Sequence, residues 1–282
     1  MNIAVIGLGA FGRWFVERYL NQGFKVKVYD VDSRKIEELR LLKVVRCSNI
    51  KEAVEDVEYV IVAVPINAVC QVIEEASKHM ISGTIIDISS LKKPVYDILK
   101  SLPERLNTVC IHPLFGPRTR TLENQKIALI PVRNSLEERK IVEVLMPGAG
   151  IVETTVEEHD KAMTYILSLT HLLSLIVVKT LKTVKDQRGL EKLAGSSFKH
   201  MCKMLDSTLT ESLDTFTSIL FYNTGTKELS TELLNEINEV DNLLSLQNYD
   251  RLREFIKREL KTYREIGFIK KILMESDQLE EV

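Results

Sequence analysis

The first half of the chain alternates short apolar runs with amphipathic stretches, and that rhythm predicts a parallel sheet with helices packed against it. The strands fall at Ile3–Ile6, Lys25–Tyr29, Tyr59–Val64, Thr84–Asp87 and Thr108–Ile111, with Ile127–Ile130 and Ile151–Glu153 extending the sheet. Between them, Phe11, Trp14, Phe15 and Tyr19 share one helical face, as do Val69, Val72, Ile73 and Ala76. Ser48 and Asn67 read as helix N-caps. After about Glu153 the period changes. Glu157 to Val184 reads as one long helix, apolar around most of its circumference and therefore buried. Leu233, Ile237, Val240 and Leu244 make a later stripe, and Leu252, Ile256, Leu260 and Tyr263 another. The pattern predicts an α/β domain over residues 1–153 and an all-α domain over residues 154–282.

Length supports that division, because 282 residues exceed what one core ordinarily holds. Charge excludes more than it suggests. Thirty-eight Lys plus Arg against 40 Asp plus Glu give a net charge of −2, so neither nucleic acid nor an anionic membrane is expected as a partner. Cys47, Cys70, Cys110 and Cys202 are scattered without a Cys-x-x-Cys pair, which predicts no disulfide framework, no metal site and a reducing, cytoplasmic setting. Met1 and Asn2 lead straight into an apolar strand, with no signal-peptide pattern. Ala162 to Val178 carries no formal charge apart from a protonated His171, but it is shorter than the about 20 residues a membrane span needs. With Thr164, Ser168, Thr170 and Ser174 inside it, it reads as a buried helix. A small helical domain supplies too few partners for so apolar a helix, which predicts a homodimer joined through the helical domains.

Gly7-Leu8-Gly9-Ala10-Phe11-Gly12 follows the first strand and opens the first helix. Gly7 allows the tight turn, Gly9 lets a pyrophosphate approach the backbone, and Gly12 lets helix and strand pack closely. The helix N-terminus, from Ala10 and Phe11 onward, offers free N–H groups to the phosphates. The second strand ends in Asp30, at the distance of about 20 residues where an acid reads a ribose hydroxyl. Together these predict an N-terminal Rossmann domain that binds NAD in preference to NADP, since Asp30 repels a 2′-phosphate. Ser33 and Arg34 just beyond are the residues that would favour NADP instead. Pro65, at the end of the Tyr59–Val64 strand, lines the nicotinamide side or simply ends the strand.

Two further segments lie at carboxyl ends of strands, where open α/β sheets place their ligands. One is Asp87-Ile88-Ser89-Ser90-Leu91-Lys92; the other is His112-Pro113-Leu114-Phe115-Gly116-Pro117. A histidine at a strand end, stiffened by nearby prolines, suits acid–base work.

These segments resemble the prephenate dehydrogenase family, arogenate dehydrogenases included. The family's His-Pro-Met-Phe-Gly-Pro motif is matched except for Leu114 in the Met place, and its Asp-x-x-Ser-Val-Lys motif is similar to Asp87–Lys92 with Ser90 at the serine. Glu158-His159-Asp160, Met163 to Ile166 and His171 resemble the start of the family's first long helix. The resemblance runs in order from Met1 to about Val178 and fades beyond about Leu193. It implies an NAD-dependent oxidoreductase of tyrosine biosynthesis, turning prephenate into 4-hydroxyphenylpyruvate by oxidative decarboxylation. His112 would accept the C4 hydroxyl proton while Ser90 hydrogen-bonds that hydroxyl or His112. His159 and His171 are read as helix-packing or interface residues, and His79 and His200 carry no motif.

The chain departs from the family in one respect. The family's substrate-carboxylate arginine has no match, because no arginine occurs between Arg188 and Arg251. Lys203 is the nearest cation there; Arg118 and Arg120 follow the His112 motif, and Lys92 precedes it. Lys203, Arg118 and Arg120 are the candidates for holding the substrate's carboxylates. Two alternatives stand beside prephenate oxidation: arogenate dehydrogenation, and a non-catalytic NAD-binding dimer that senses redox state.

Overall fold

The computed structural model of the protein describes residues 1–273, so the end of the expected helical domain, 274–282, lies outside the described residues. The order is β1 (Asn2–Ile6), α1 (Ala10–Asn21), β2 (Lys25–Tyr29), α2 (Ser33–Glu37), β3 (Val44–Arg46), α3 (Ile50–Val54), β4 (Tyr59–Val62), α4 (Ile66–His79), β5 (Gly83–Asp87), α5 (Lys93–Ser101), β6 (Leu106–Pro113), β7 (Lys126–Leu129), α6 (Ser135–Leu145) and β8 (Gly150–Glu153). Helices follow: α7 (Val156–Met163), α8 (Leu169–Leu181), α9 (Gln187–Leu193), α10 (Ser196–Leu209), α11 (Leu213–Tyr222), α12 (Thr226–Ser245) and α13 (Tyr249–Ile266).

The strands form one sheet in the order β3-β2-β1-β4-β5-β6-β7-β8. Its central strands β1, β4, β5 and β6 are buried on both faces, which is why they read as continuous apolar runs. In β1, Ile3 and Val5 join the core under α1 while Ala4 and Ile6 join the core under α4 and α5. The expected parallel sheet is corrected at one edge. β6 and β7 pair antiparallel, and β7 and β8 then pair parallel to each other. No helix separates β6 from β7, only a loop, so the chain doubles back instead of crossing over. β3 escapes the sequence pattern because three residues, two of them exposed, are too short to show alternation.

Other local expectations shift by a residue or a turn. Asn49, not Ser48, caps α3, its side chain accepting from the Glu52 N–H; Asn67 lies inside the first turn of α4, which Pro65 precedes. The long helix expected from Glu157 to Val184 is interrupted by a π-helical turn, Thr164–Ser168, and α8 ends at Leu181. From Val156 to Leu181 it is long and apolar enough to cross a membrane, yet only 28% of its most apolar window is buried. Tyr165, Ile166, Leu175 and Ile176 are exposed, so its apolar surface is only partly covered within one chain.

The chain divides into a compact unit, Met1–Thr226, and a second one from Lys227 onward. In the first, Met163 and Leu167 pack on Ile66 and Leu91, which lays the helical segment over the carboxyl ends of β4 and β5. In the second, Arg258 of α13 pairs with Glu239 of α12 at 3.6 Å, while Ile237, Val240, Leu244, Ile256, Leu260 and Tyr263 stay exposed.

Candidate active site

The strand order reverses between β1 and β4, and a crevice for a ligand forms at such a switch point. Gly7 turns the chain there with φ of +93°, and a Cβ on Gly12 would lie 1.9 Å from the Gly7 carbonyl oxygen, so both positions need glycine. Gly9 differs: a Cβ there would meet no atom within 4 Å. It is the N-cap of α1 and supplies no capping side chain, with Ala10 exposed and Phe11 half-buried beside it. The first N–H groups of α1 thus face uncrowded space, an arrangement that fits the pyrophosphate of a dinucleotide.

Asp30 is buried beside this turn. Its Oδ2 accepts the Leu8 N–H at 2.7 Å and its Oδ1 the Asp32 N–H at 2.8 Å, which fixes the carboxylate and leaves lone pairs for a ribose diol. Arg34 forks onto Asp32, both contacts at 2.9 Å, so the guanidinium that would favour a 2′-phosphate already has a carboxylate partner. Pro65 is exposed at the carboxyl end of β4.

His112 lies near the end of β6, 8% exposed. Its Nδ1 stands 3.0 Å from His159 Nε2, and His159 Nδ1 stands 2.7 Å from Asp160 Oδ1. Asp160 is pinned in turn, its two oxygens accepting the Lys92 and Lys93 N–H groups at 2.9 Å each. Burial works against the Asp160 charge, but the hydrogen bonds from His159, Lys92 and Lys93 outweigh it and hold the carboxyl below its usual range. An ionised Asp160 can only accept, so His159 Nδ1 carries the proton. With His159 in the tautomer whose Nε2 accepts from His112 Nδ1–H, His112 Nε2 keeps a bare lone pair. Burial first, and then the Lys92 ammonium, drive the His112 pKa well below its ordinary value, so the ring is neutral at physiological pH. A fixed, neutral imidazole with a free Nε2 is a general base.

Sequence reasoning gave His159 a packing role and passed over Asp160. A local signal was present: Thr155 and Glu158 form a capping box that sets where α7 begins, and with it the face His159 occupies.

The Asp87–Lys92 segment is built around a pair with no exposure. Lys92 Nζ donates to Asp87 Oδ2 at 2.7 Å and to the Ile111 carbonyl, tying the end of β5 to the residue before His112. Asp87 also accepts from the Ser89 N–H and hydroxyl, each at 3.0 Å. Lys92 is therefore part of the frame, and its ammonium does not face solvent. Ser90 is half-buried, caps no helix, and makes no side-chain hydrogen bond to His112 or any other described residue.

The structure does not gather the three candidate carboxylate cations. Arg118, Arg120 and Lys203 are all exposed, and none has an ion-pair partner among the described residues. Arg118 and Arg120 flank Thr119, whose carbonyl accepts Trp14 Nε1–H at 2.7 Å, so that part of the loop is fastened to the flank of α1. Lys203 lies on α10.

Two family models match the chain: the prephenate dehydrogenase nucleotide-binding domain over residues 17–151, and the prephenate dehydrogenase dimerization domain over residues 155–258. The chain is 27% identical over 272 residues to a probable arogenate/prephenate dehydrogenase of Methanocaldococcus jannaschii, covering 93% of this chain and 61% of that protein. It is 24% identical to arogenate dehydrogenase 1, chloroplastic, of Arabidopsis thaliana, covering 92% of this chain and 41% of that one. It thus spans less than two thirds of the length of either relative. In fold it is similar to prephenate dehydrogenase from A. aeolicus, solved with hydroxyphenyl propionate and NAD+, with a TM-score of 0.73, 20% identity, and coverage of 94% of this chain and 98% of that one.

Proposed function

The chain belongs to the prephenate dehydrogenase family, and from that premise we propose that it oxidises and decarboxylates prephenate to 4-hydroxyphenylpyruvate, a cytoplasmic step of tyrosine biosynthesis. Gly7–Gly12 and Asp30 would hold NAD, with Pro65 at the nicotinamide end, and the bound cofactor would supply the hydride acceptor. His112 Nε2 takes the C4 hydroxyl proton as negative charge builds on that oxygen. His159 and Asp160 hold the ring in the tautomer that can do so, and Ser90 donates to or orients the same hydroxyl. Aromatisation of the ring drives the loss of CO2, so no acid beyond these groups is required. The substrate is a dianion, and the exposed Arg118, Arg120 and Lys203 are the cations we assign to its carboxylates. Residues 1–153 are then the cofactor domain and residues 154–282 the substrate and dimerisation domain, with the exposed apolar faces of the helical segment buried in a homodimer.

The observation that carries this reading is the Asp160–His159–His112 chain, which engages His112 through Nδ1 at the carboxyl edge of the sheet. The name of the A. thaliana relative, an arogenate dehydrogenase, favours a second reading, arogenate as substrate. Following NADH formation with prephenate and then with arogenate tests both. Turnover of prephenate is the expected result, turnover of arogenate alone transfers the assignment, and tight NADH binding with neither turnover points to a redox-sensing dimer.

A further inference from the structure

The π-helical turn between α7 and α8 is surrounded by buried polar side chains that the proposed reaction does not use. Leu169 N–H reaches back five residues to the Thr164 carbonyl, whereas Thr164 N–H makes the ordinary four-residue bond to Asp160. Each α-helical residue turns the chain by about 100°, so the one extra residue in this turn offsets α8 against α7 by roughly that angle. His159 and His171, twelve positions apart, would point about 120° apart on an unbroken α-helix. The offset brings them nearly onto one face, and both are buried: His159 against His112, His171 against Phe216 and Glu211.

A π turn is rare and occurs mostly as a single turn inside an α-helix, so its surroundings must hold it. Here the holding group is the segment after α11. Asn223 Oδ1 accepts the Thr164 hydroxyl at 2.8 Å and the Gly225 N–H at 3.0 Å, and Asn223 Nδ2 approaches the Asp160 carbonyl at 3.5 Å. Thr226 donates its hydroxyl to Ser168 Oγ at 2.8 Å. Thr164, Ser168, Asn223 and Thr226 are all buried. The approach is so close that a Cβ on Gly225 would fall 2.5 Å from Thr164 Oγ1. Both ends of the π turn are therefore pinned, Thr164 by Asn223 and Ser168 by Thr226, and Asn223 also approaches the carbonyl of Asp160, whose carboxylate ends the relay.

We propose that Asn223, Thr164, Ser168 and Thr226 form a polar plug that locks the rotation of α7 against α8, making Asn223 and Thr164 positioning residues for the His112–His159–Asp160 relay. The proposal rests on the reading of His112 as the base. Without the plug, the slack residue is free to relax into an α turn, and the rotation it released would be taken up at the His159 end or the His171 end. Buried networks of this kind act as a unit, so loss of one hydroxyl disturbs all its partners.

The test uses the full chain and compares Thr164→Val, which keeps shape and removes the hydroxyl, with Thr164→Ser, which restores the hydroxyl. Thr164→Val should lower kcat about tenfold while NAD affinity stays within about twofold of wild type, and Thr164→Ser should recover most of the loss. In a His159→Asn background, Thr164→Val should cost nothing further, because it acts through His159. Equal costs in both backgrounds, or an unchanged kcat in Thr164→Val, would overturn the plug. Should Thr164→Val not fold, Thr226→Val removes the companion bond and should show a smaller loss with the same dependence on His159; an undiminished loss without His159 would count against it. If the wild type turns over neither prephenate nor arogenate, the functional reading fails separately. The plug is then judged by the imidazole 15N spectrum of His112, whose hydrogen-bonded Nδ1–H signal should persist in wild type and Thr164→Ser and weaken in Thr164→Val. An identical spectrum in all three would reject it.

Discussion

The sheet edge and the helix that lies over it contribute to the same relay but hold their parts differently. His112 is positioned by backbone: a strand in register with its neighbours, a proline after it, and the buried Asp87–Lys92 pair gripping the preceding carbonyl. His159 and Asp160 are positioned by side chains and helix ends: a capping box below, two N–H donors from the Lys92–Lys93 turn, and the Asn223 network above. A strand end tolerates little displacement because a whole ladder must move with it. A helix can rotate in place. The base should therefore survive changes that uncouple its orienting partner, and substitutions on the two sides should differ in kind.

Removing the base is expected to have the largest effect. His112→Asn should lower kcat by about 10²–10⁴-fold with NAD affinity unchanged, measured by steady-state kinetics and cofactor titration. Breaking the frame beneath it should appear in stability: Lys92→Met leaves Asp87 buried without its counter-charge and should cost roughly 3–5 kcal/mol in urea unfolding. The same variant bears on pH. The Lys92 charge helps hold the His112 pKa down, so its removal should raise that pKa and move the acid limb of kcat/KM to higher pH. In the wild type the sign is fixed by the depressed folded value. Below about pH 6.5 the unfolded chain binds a proton that folded His112 refuses, so stability declines as pH falls from there toward the folded pKa, while the base stays active.

On the helix side the effects should be smaller and conditional. His159→Asn should cost about 10–10²-fold in kcat and should add little to His112→Asn, since it works only through that ring. Arg118→Ala, Arg120→Ala and Lys203→Ala separate a cofactor-side anchor from a helical one. A residue that holds a substrate carboxylate should lose about 1.5–3 kcal/mol in kcat/KM, and one that does not should behave as wild type. The smallest expected change is at Asp30, where Asp30→Ser should relax the preference for NAD over NADP about tenfold without altering kcat.

What the residue pattern revealed follows the same division. Gly7 and Gly12 are legible because local backbone geometry demands glycine at that spacing, and Asp30 and His112 because each lies at the carboxyl end of a strand the pattern implied. The antiparallel return of β7 was not legible, because it depends on the absence of a crossover helix and leaves no mark on strand periodicity. The relay partners were obscured for a different reason. His159 and Asp160 look like ordinary first-turn residues of an apolar helix, and their partners Lys92 and His112 lie far away in sequence. The π turn hid the shared burial of His159 and His171, since a helical projection at constant angle separates them. The carboxylate cations remain the least legible part, because exposed Arg118, Arg120 and Lys203 carry no local constraint to read.

The most direct test of the relay is the protonation state of His112 itself. Of the five histidines, the His112 resonances in a 15N-labelled sample are assigned by their loss in His112→Asn. Their 15N–1H correlations at neutral pH then report which nitrogen carries the proton. The expected spectrum shows a neutral ring with Nδ1 protonated and Nε2 bare, persisting below the ordinary histidine range. A ring protonated on Nε2, or an imidazolium at neutral pH, would contradict the assignment of His112 Nε2 as the base.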